Sequence, residues 1–240
     1  MSLTVKSKVE VPELIEKRRG QIIAAAIELF SKNGYHSTTI RDIAKRADVS
    51  IGTIYQYVSD KEDVLFLTLI EVLDDYQRYV PAAIESVSQP LARLHAAIRA
   101  YCMVNDAKIG ATVLAYRETK SLPKKRRKLI QEKELATNRL LTTCITDCVA
   151  SGLMEEVDVE LFTYQIVMFA HAWALKAWRF RPVMTLDEYV GRGIRLMIGP
   201  RLTPRGKRAF AKLDVGEQPP SERSGRGSAS RANGELRRPR

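Results

Sequence analysis

Apolar residues recur at helical spacing in the first quarter of the chain, and turn-forming residues interrupt the pattern twice. A first helix is predicted to end at Asn33 and Gly34, because glycine favours the positive φ that terminates helices. Its apolar face consists of Ile22, Ile23, Ala26, Ile27 and Phe30. A second helix is predicted after Thr39, which can form a reciprocal N-terminal cap with Asp42. Its apolar face consists of Ile40, Ile43, Ala44 and Ala47.

A short third helix is predicted over residues 51–57, after a turn at Asp48 and with Ser50 as its cap. Ser59 and Glu62 predict a capping box for the next, longer helix. A short helix held by a preceding helix is the arrangement with which helix-turn-helix proteins read duplex DNA. The N-terminal segment therefore predicts a DNA-binding domain.

The rest of the chain also has a helical pattern, and proline and glycine mark its boundaries. Helices are predicted over residues 61–80, 90–105, 108–121, 123–151, 158–180 and 186–198, and no strand or internal repeat is predicted. We expect an all-α fold with an N-terminal three-helix DNA-binding domain and a larger helical ligand-binding and dimerisation domain. The predicted division is a flexible arm (1–14), the helix-turn-helix domain (15–62), the effector-binding and dimerisation domain (63–205) and a basic, disordered tail (206–240).

The N-terminal sequence resembles the TetR family of one-component transcriptional regulators over about residues 17–73. The resemblance is carried, in order, by AAIELF (25–30), NGY (33–35), TTIRDIA (38–44), VS (49–50), TIY (53–55) and DKE (60–62). It implies a regulator, expected to be a repressor, that binds a palindromic operator in double-stranded DNA as a homodimer.

The resemblance also implies roles for individual residues. Thr39, Tyr57 and Lys61 match phosphate contacts of the family, although Thr39 is equally suited to capping and Lys61 to a solvated position. For Tyr55, packing of the ring within the protein is slightly favoured over contact with DNA. Many relatives have a basic or polar residue where this chain has Ile51, so the operator sequence stays open. The predicted DNA-binding residues are Thr39, Ser50, Ile51, Gly52, Thr53, Tyr55, Gln56, Tyr57 and Lys61.

The segment 158–180 is apolar on more than one face, which is too wide for a helix covered on one side only. In the family the last two long helices pair with their copies, so a dimer interface is expected here, with a purely intramolecular core as the alternative. The predicted interface residues are Phe162, Gln165, Phe169, Trp173, Lys176, Tyr189, Ile194 and Met197.

The central helices are expected to enclose an apolar pocket for a small-molecule effector. Lysines and arginines cluster around Pro123 and suit the phosphates of an amphipathic effector, although such a cluster can also be a solvated face. The stretch LAYRETKSLP (114–123) is similar to a region of relatives that respond to acyl-CoA thioesters. We expect an acyl-CoA or aryl-CoA effector, ahead of a fatty acid, an aromatic compound or a lipophilic drug. The predicted ligand-binding residues are Tyr101, Val104, Val113, Leu114, Tyr116, Arg117, Cys144, Met168, His171, Leu175, Arg126 and Arg127.

Composition narrows the alternatives. Of the net charge of +11, residues 201–240 carry +7 and residues 1–62 only +2, so DNA affinity must come from the placement of a few groups. The three cysteines lack zinc-like spacing and are read as reduced core residues, so no metal or cofactor is expected. No catalytic motif is found, which argues against an enzyme. No apolar run is long enough to span a bilayer, so a cytoplasmic protein without membrane contact is expected.

Two further classes of protein fit the sequence less well. A helical protein-interaction module would explain the wide apolar helices but not the motif at residues 50–61. An RNA-binding protein would need exposed aromatic stacking platforms, whereas the tyrosines here fall where duplex phosphates are expected.

Overall fold

The computed structural model describes Val5 and residues 7–213, and all its regular elements are helices apart from one isolated bridge between Met154 and Leu202. The expected all-α fold is confirmed. The α-helices of this part are Pro12–Asn33 (α1), Ile40–Arg46 (α2), Ile51–Tyr57 (α3), Lys61–Ile84 (α4), Pro90–Ala107 (α5), Ile109–Glu118 (α6), Lys124–Ala150 (α7), Val159–Leu175 (α8), Ala177–Phe180 (α9), Leu186–Met197 (α10) and Pro204–Phe210 (α11). Single 3-10 turns span Thr119–Ser121 and Gly199–Arg201.

Local capping explains where the first three helices begin and end. Thr39 and Asp42 form the reciprocal cap of α2, and Gly34 follows α1 with φ of 84°. Asp48 has φ of 53° in the turn between α2 and α3, a conformation that aspartate tolerates better than most residues. The helix-turn-helix geometry is therefore encoded by short polar side chains within a few residues of each turn.

Two apolar cores lie along the molecule, and α4 contributes to both. The first holds α1, α2 and α3 together and includes Leu65 and Leu69 of α4. The second lies between α5, α7, α8 and α10 and includes Tyr76 and Val80 of α4. One continuous helix therefore belongs to both cores and connects the first three helices to the rest of the molecule.

Two predictions about α4 were wrong. The predicted capping box of Ser59 and Glu62 does not form, because Asp60 is the N-cap and its carboxylate accepts the backbone N–H of Asp63 at 2.7 Å. The helix also continues past residue 80 and through Pro81 to Ile84. Ile84 is only 8% exposed, and its burial in the second core offsets the hydrogen bond that proline cannot donate.

The predicted ends of the chain also need correction. Helix α11 was not predicted, although Thr203 caps it and Pro204 occupies its first position. The predicted tail thus begins inside a helix, and its residues 214–240 lie outside the described part. At the other end α1 begins at Pro12, inside the predicted flexible arm.

The predicted helix 158–180 is interrupted. Helix α8 ends at Leu175, Lys176 leaves helical geometry with ψ of 28°, and the short α9 follows. The three cysteines are buried and unpaired, as expected for core residues.

Candidate nucleic-acid interface and effector cavity

Helix α3 has one exposed face and one buried face. Ile51 is 39% and Tyr55 44% exposed, and Gly52 and Gln56 are exposed beside them. Ile54 is fully buried. The exposed face can therefore meet a DNA groove while the opposite face anchors the helix in the domain.

Polar groups fix the N-termini of the two short helices. The hydroxyl of Ser50 accepts the backbone N–H of Thr53 at 3.0 Å and lies 2.8 Å from the Thr53 hydroxyl, so Ser50 caps α3. The Thr39 hydroxyl donates to Asp42 at 2.7 Å, and this hydrogen bond lowers the pKa of the Asp42 carboxyl. In this structure Ser50 and Thr39 both act as caps.

The structure reverses the expectation for the two tyrosines of α3. Tyr57 is only 3% exposed and its ring belongs to the first core, although a phosphate contact was predicted for it. Tyr55, for which packing was favoured, is exposed. The difference follows from helical phase, because Tyr57 lies three residues after the buried Ile54 and shares its face.

Lys61 also differs from its expected role. Its ammonium group donates to the backbone carbonyls of Tyr35, His36 and Thr38 at 2.9–3.0 Å and lies 4.6 Å from the Tyr35 ring centroid. The lysine thus fastens the loop between α1 and α2 to the start of α4, and its three N–H donors are used within the protein.

Sequence reasoning missed a clamp on the C-terminus of α3. The Gln56 carbonyl accepts the Lys8 backbone N–H at 2.7 Å and the Ser7 hydroxyl at 3.1 Å. Arg19 donates to the carbonyls of Tyr57 at 3.0 Å and Val5 at 2.5 Å. Ser7 and Lys8 of the predicted flexible arm, together with Arg19 of α1, therefore satisfy the last carbonyls of α3. These hydrogen bonds fix the orientation of α3 relative to α1.

A cavity of about 280 Å³ lies among α4, α5, α6, α7 and α8. This volume is just below the roughly 300–1,000 Å³ that is usual for ligand sites. Eight of its fifteen lining residues are apolar or tyrosine, and the other seven are polar. The lining residues are Leu69, Val72, Leu73, Tyr76, Tyr101, Thr112, Ala115, Tyr116, Thr119, Ile130, Gln131, Glu134, Thr137, Asn138 and His171.

Three of the predicted ligand-binding residues, Tyr101, Tyr116 and His171, line this cavity. The others lie elsewhere. Val104, Leu114 and Cys144 are buried in the cores, Val113 and Leu175 are partly buried, and Arg117 and Met168 are exposed. Arg126 and Arg127 lie outside the cavity wall.

The polar wall residues that the prediction omitted come mainly from α7. Glu134, Thr137 and Asn138 share a face with Ile130 and Leu141, so polar residues in a helix face that is otherwise apolar were the available signal.

Burial shifts the pKa values of the ionisable groups of the cavity in the direction that favours their uncharged forms. It lowers the pKa of His171 to about 4, and the Tyr116 hydroxyl lies 2.7 Å from Nδ1 of this imidazole. Burial also raises the pKa of Glu134.

Two buried donors of the cavity wall have no partner in hydrogen-bond geometry among the residues that the structure describes. They are the Tyr76 hydroxyl and Asn138 Nδ2, and both are buried. The Asn105 side chain acts on the Tyr76 hydroxyl and offsets part of the rise that burial causes in its pKa, but it does not reach hydrogen-bond geometry. A buried donor without a partner costs about 1–3 kcal/mol. Such groups are expected where a ligand completes the hydrogen bonding.

The basic cluster begins beside the cavity. Thr119 lines the cavity, and Lys120, Lys124, Lys125 and Lys128 are exposed in the residues that follow. Arg126 does not join them. It forms an ion pair with the buried Asp63 at the start of α4, and its guanidinium lies 5.1 Å from the Phe66 ring centroid.

Half of the predicted dimer residues are turned into their own chain. Phe162, Trp173, Tyr189 and Ile194 are at most 7% exposed, which corrects their assignment to an intermolecular surface. Gln165 and Lys176 are exposed, and Phe169 and Met197 are partly buried. The exposed apolar residues of α8 and α10 are instead Leu161, Met168 and Leu196.

Comparison with known proteins identifies the chain. Residues 22–67 match the family of bacterial regulatory proteins of the tetR family, and residues 87–175 match the tetracyclin repressor-like C-terminal domain. The HTH-type transcriptional regulator HbdR of Aromatoleum sp. (strain CIB) is 53% identical over 210 residues, which cover 88% of this chain and 92% of that protein. The chain belongs to the TetR family. It is therefore a DNA-binding transcriptional regulator, and its relatives imply a regulatory rather than a catalytic role.

Solved structures show the same fold. A tetR-family regulatory protein from Rhodococcus RHA1 superposes with a TM-score of 0.69 at 23% identity, over 75% of this chain and 95% of that one. AibR, solved with isovaleryl coenzyme A and operator DNA, superposes with a TM-score of 0.66 at 19% identity, over 77% of this chain and 100% of that one. None of the helices described for the regulator is long and apolar enough to cross a membrane.

Proposed function

We propose that the regulator is a homodimeric repressor whose exposed α3 face reads a palindromic operator, and that an acyl-CoA or aryl-CoA thioester releases it from DNA. The observation that carries the effector proposal is the position of the cavity. It is bounded by α4, which also belongs to the core of the DNA-binding domain, and it adjoins a cluster of exposed lysines.

The shape of the site favours an amphipathic effector. An acyl or aryl group suits the apolar cavity, while the phosphates of coenzyme A need cations outside it. Lys120 follows the lining residue Thr119 directly, and the four exposed lysines provide that charge. The solved complex of AibR with isovaleryl coenzyme A shows that this fold accepts such a ligand.

The proposed dimer face is the exposed side of α8 and α10. Leu161, Gln165 and Met168 recur at helical spacing on α8, and Leu196 is 77% exposed on α10. An apolar surface of this kind is typical of protein–protein contacts. Two-fold pairing there would present two α3 helices to one duplex.

Release would follow from a change in the spacing of the two α3 helices. An effector that binds better to one arrangement of α4 and α7 shifts the population toward that arrangement. Because α4 starts four residues after α3, its displacement moves the reading helix out of register with the major groove.

The test combines DNA and thioester binding. Genomic footprinting of the purified protein identifies an operator, and fluorescence anisotropy then measures affinity for it with and without a panel of CoA thioesters. We expect at least one thioester to raise the melting temperature and to weaken operator binding about tenfold or more. Free fatty acids, aromatic compounds and lipophilic drugs enter the same panel as alternative effectors.

A variant without two of the lysine charges distinguishes binding of the phosphates of the ligand from binding of its acyl or aryl group. Replacing Lys120 and Lys124 by glutamine should weaken binding of the thioester about three- to tenfold but leave binding of its N-acetylcysteamine analogue, which lacks the phosphates, unchanged. Lys207→Gln on α11 is the matched control. Panel-wide failure of thioesters to bind, or equal losses with both analogues, would refute the CoA assignment.

A further inference from the structure

We infer that Tyr76 and Asn138 form a two-donor subsite that selects effectors whose buried group is uncharged and carries an oxygen acceptor, such as a carbonyl or hydroxyl. This inference rests on the proposed effector function of the cavity and names the chemistry that its inner wall recognises.

Most polar groups of the wall are already satisfied by the protein. The Thr112 hydroxyl donates to Asn105 at 3.2 Å, and the hydroxyls of Thr119 and Thr137 donate to backbone carbonyls at 2.6 and 2.9 Å. The Tyr101 hydroxyl donates to Asn138 Oδ1 at 3.2 Å. The hydroxyl donors of these groups are therefore already used, and only their oxygens can still accept.

Among the buried side-chain donors of the wall, the Tyr76 hydroxyl and Asn138 Nδ2 remain, whereas Gln131 is exposed to solvent. Tyr76 is 2% and Asn138 5% exposed, so bulk solvent does not satisfy them. Both side chains contact Tyr101, since the Tyr76 ring stacks on it with centroids 4.4 Å apart and Asn138 accepts its hydroxyl. Two unused donors held against one rigid ring suit a single acceptor-bearing group.

The charge of the wall excludes a carboxylate at this position. None of the described residues that line the cavity is a lysine or arginine. Burial keeps His171 neutral near pH 7, because its pKa is lowered to about 4. The wall also contains the carboxyl group of Glu134. An anionic ligand would lose its hydration without gaining a counter-ion, whereas a neutral carbonyl needs only the two donors.

The experiment uses three small probes with equal numbers of non-hydrogen atoms: acetophenone, isopropylbenzene and benzoate. Calorimetry on the full-length protein at neutral pH should show acetophenone binding about tenfold more tightly than isopropylbenzene, and no binding of benzoate. Tyr76→Phe should reduce the tenfold preference to about threefold or less. Tyr79→Phe, on an exposed tyrosine of the same helix, should leave it unchanged.

A second measurement distinguishes recognition from structural support. Because the Tyr76 hydroxyl has no partner in hydrogen-bond geometry among the described residues, Tyr76→Phe should not lower the melting temperature of the protein without ligand. A merely structural hydroxyl would lower it and would leave the preference for acetophenone intact.

A pair of thioesters distinguishes failure of the CoA-effector proposal from failure of the two-donor subsite. 3-Oxobutanoyl-CoA and 3-methylbutanoyl-CoA differ mainly by an oxygen in place of a methyl group, and the first should bind more tightly. If neither thioester binds but acetophenone is preferred, the CoA proposal fails and the donor subsite stands. Equal binding of acetophenone and isopropylbenzene, binding of neither, tight binding of benzoate, or an undiminished preference in Tyr76→Phe would overturn the subsite.

Discussion

At the scale of single residues, burial decides the role of a side chain more than its chemical type does. Tyr55 and Tyr57 are two residues apart in one short helix, yet one faces solvent and the other fills the core. The same holds for basic residues, because Lys61 holds backbone carbonyls while Lys124 is exposed. Substituting an exposed and a buried residue of the same type can therefore separate effects on DNA affinity from effects on the free energy of unfolding.

The tyrosine pair provides the first prediction. Tyr55→Ala should weaken operator binding about tenfold with little change in stability, because an exposed ring is removed. Tyr57→Ala should lower the free energy of unfolding by about 3–5 kcal/mol, because it leaves a cavity in the first core. Anisotropy and urea denaturation of both variants test this, and a Tyr57→Ala protein of unchanged stability would contradict the assignment.

His171 predicts a pH dependence of stability. Its folded pKa of about 4 lies below the ordinary value of 6.5, so the unfolded chain binds a proton that the folded chain does not between these values. The histidine therefore costs no stability above about pH 6.5 and costs at most about 3 kcal/mol as the pH falls to 4. Urea denaturation of wild type and His171→Gln should diverge over this range, whereas parallel curves would contradict the lowered pKa of His171.

At the scale of elements, close packing fixes how α10 lies against α8. A Cβ atom on Gly193 would lie 2.0 Å from Cζ of Phe169. The Phe169 ring is parallel to the Tyr189 ring at 4.4 Å, and the Tyr189 hydroxyl donates to the Phe169 carbonyl at 2.7 Å. The ring has little freedom to move, so glycine at this position sets the distance between the helices that form the proposed dimer face.

Gly193→Ala should therefore destabilise the protein by about 1–3 kcal/mol through overpacking. Gly20→Ala is the matched control, because nothing lies within 4 Å of its Cβ position in α1. There alanine should be neutral or stabilise by up to about 1 kcal/mol through its helix propensity. Thermal or urea unfolding measures both changes, and equal effects at the two positions would show that α8 and α10 are not tightly packed.

At the scale of the whole molecule, contacts between α7 and the start of α4 connect the cavity to the DNA-binding helices. Asp63 accepts the Ser59 backbone N–H at 2.6 Å, just after α3, and pairs with Arg126 of α7. One turn further along α7, Ile130 lines the cavity. A ligand that displaces α7 thus acts on the residues that follow α3.

Arg126→Met should uncouple the two sites. The variant should bind the effector as wild type does but show a smaller effector-induced loss of operator affinity. It should lose about 1–3 kcal/mol of stability, less than for a fully buried pair because the Arg126 side chain is 20% exposed. Arg127→Met is the control, since the Arg127 side chain makes a 3.4 Å hydrogen bond to the Lys120 carbonyl and no ion pair within the described residues. Full retention of the effector response in Arg126→Met would exclude this route.

Dimerisation is tested on the same scale. Leu196→Glu should convert a dimer into a folded monomer with much weaker operator binding, because a charge would enter the apolar interface. Leu135→Glu on α7, where the leucine is also exposed, should leave the association unchanged. Sedimentation velocity decides the matter, and an unaltered sedimentation coefficient for Leu196→Glu would place the interface elsewhere.

The sequence by itself determined the all-α fold, most helix boundaries and the helix-turn-helix. These depend on caps, turns and periodicities within a few residues, such as Thr39 with Asp42 and the turn at Asp48. Only the tertiary structure decided which tyrosine of α3 is buried, which residues of α8 and α10 stay exposed, and that Tyr76 and Asn138 share a cavity wall. The physical reason is that these facts depend on the rotation of each helix against neighbours distant in the chain. A helix such as α8, whose apolar surface covers more than one face, could pack in several rotations about its own axis, and close packing against its neighbours selects one of them.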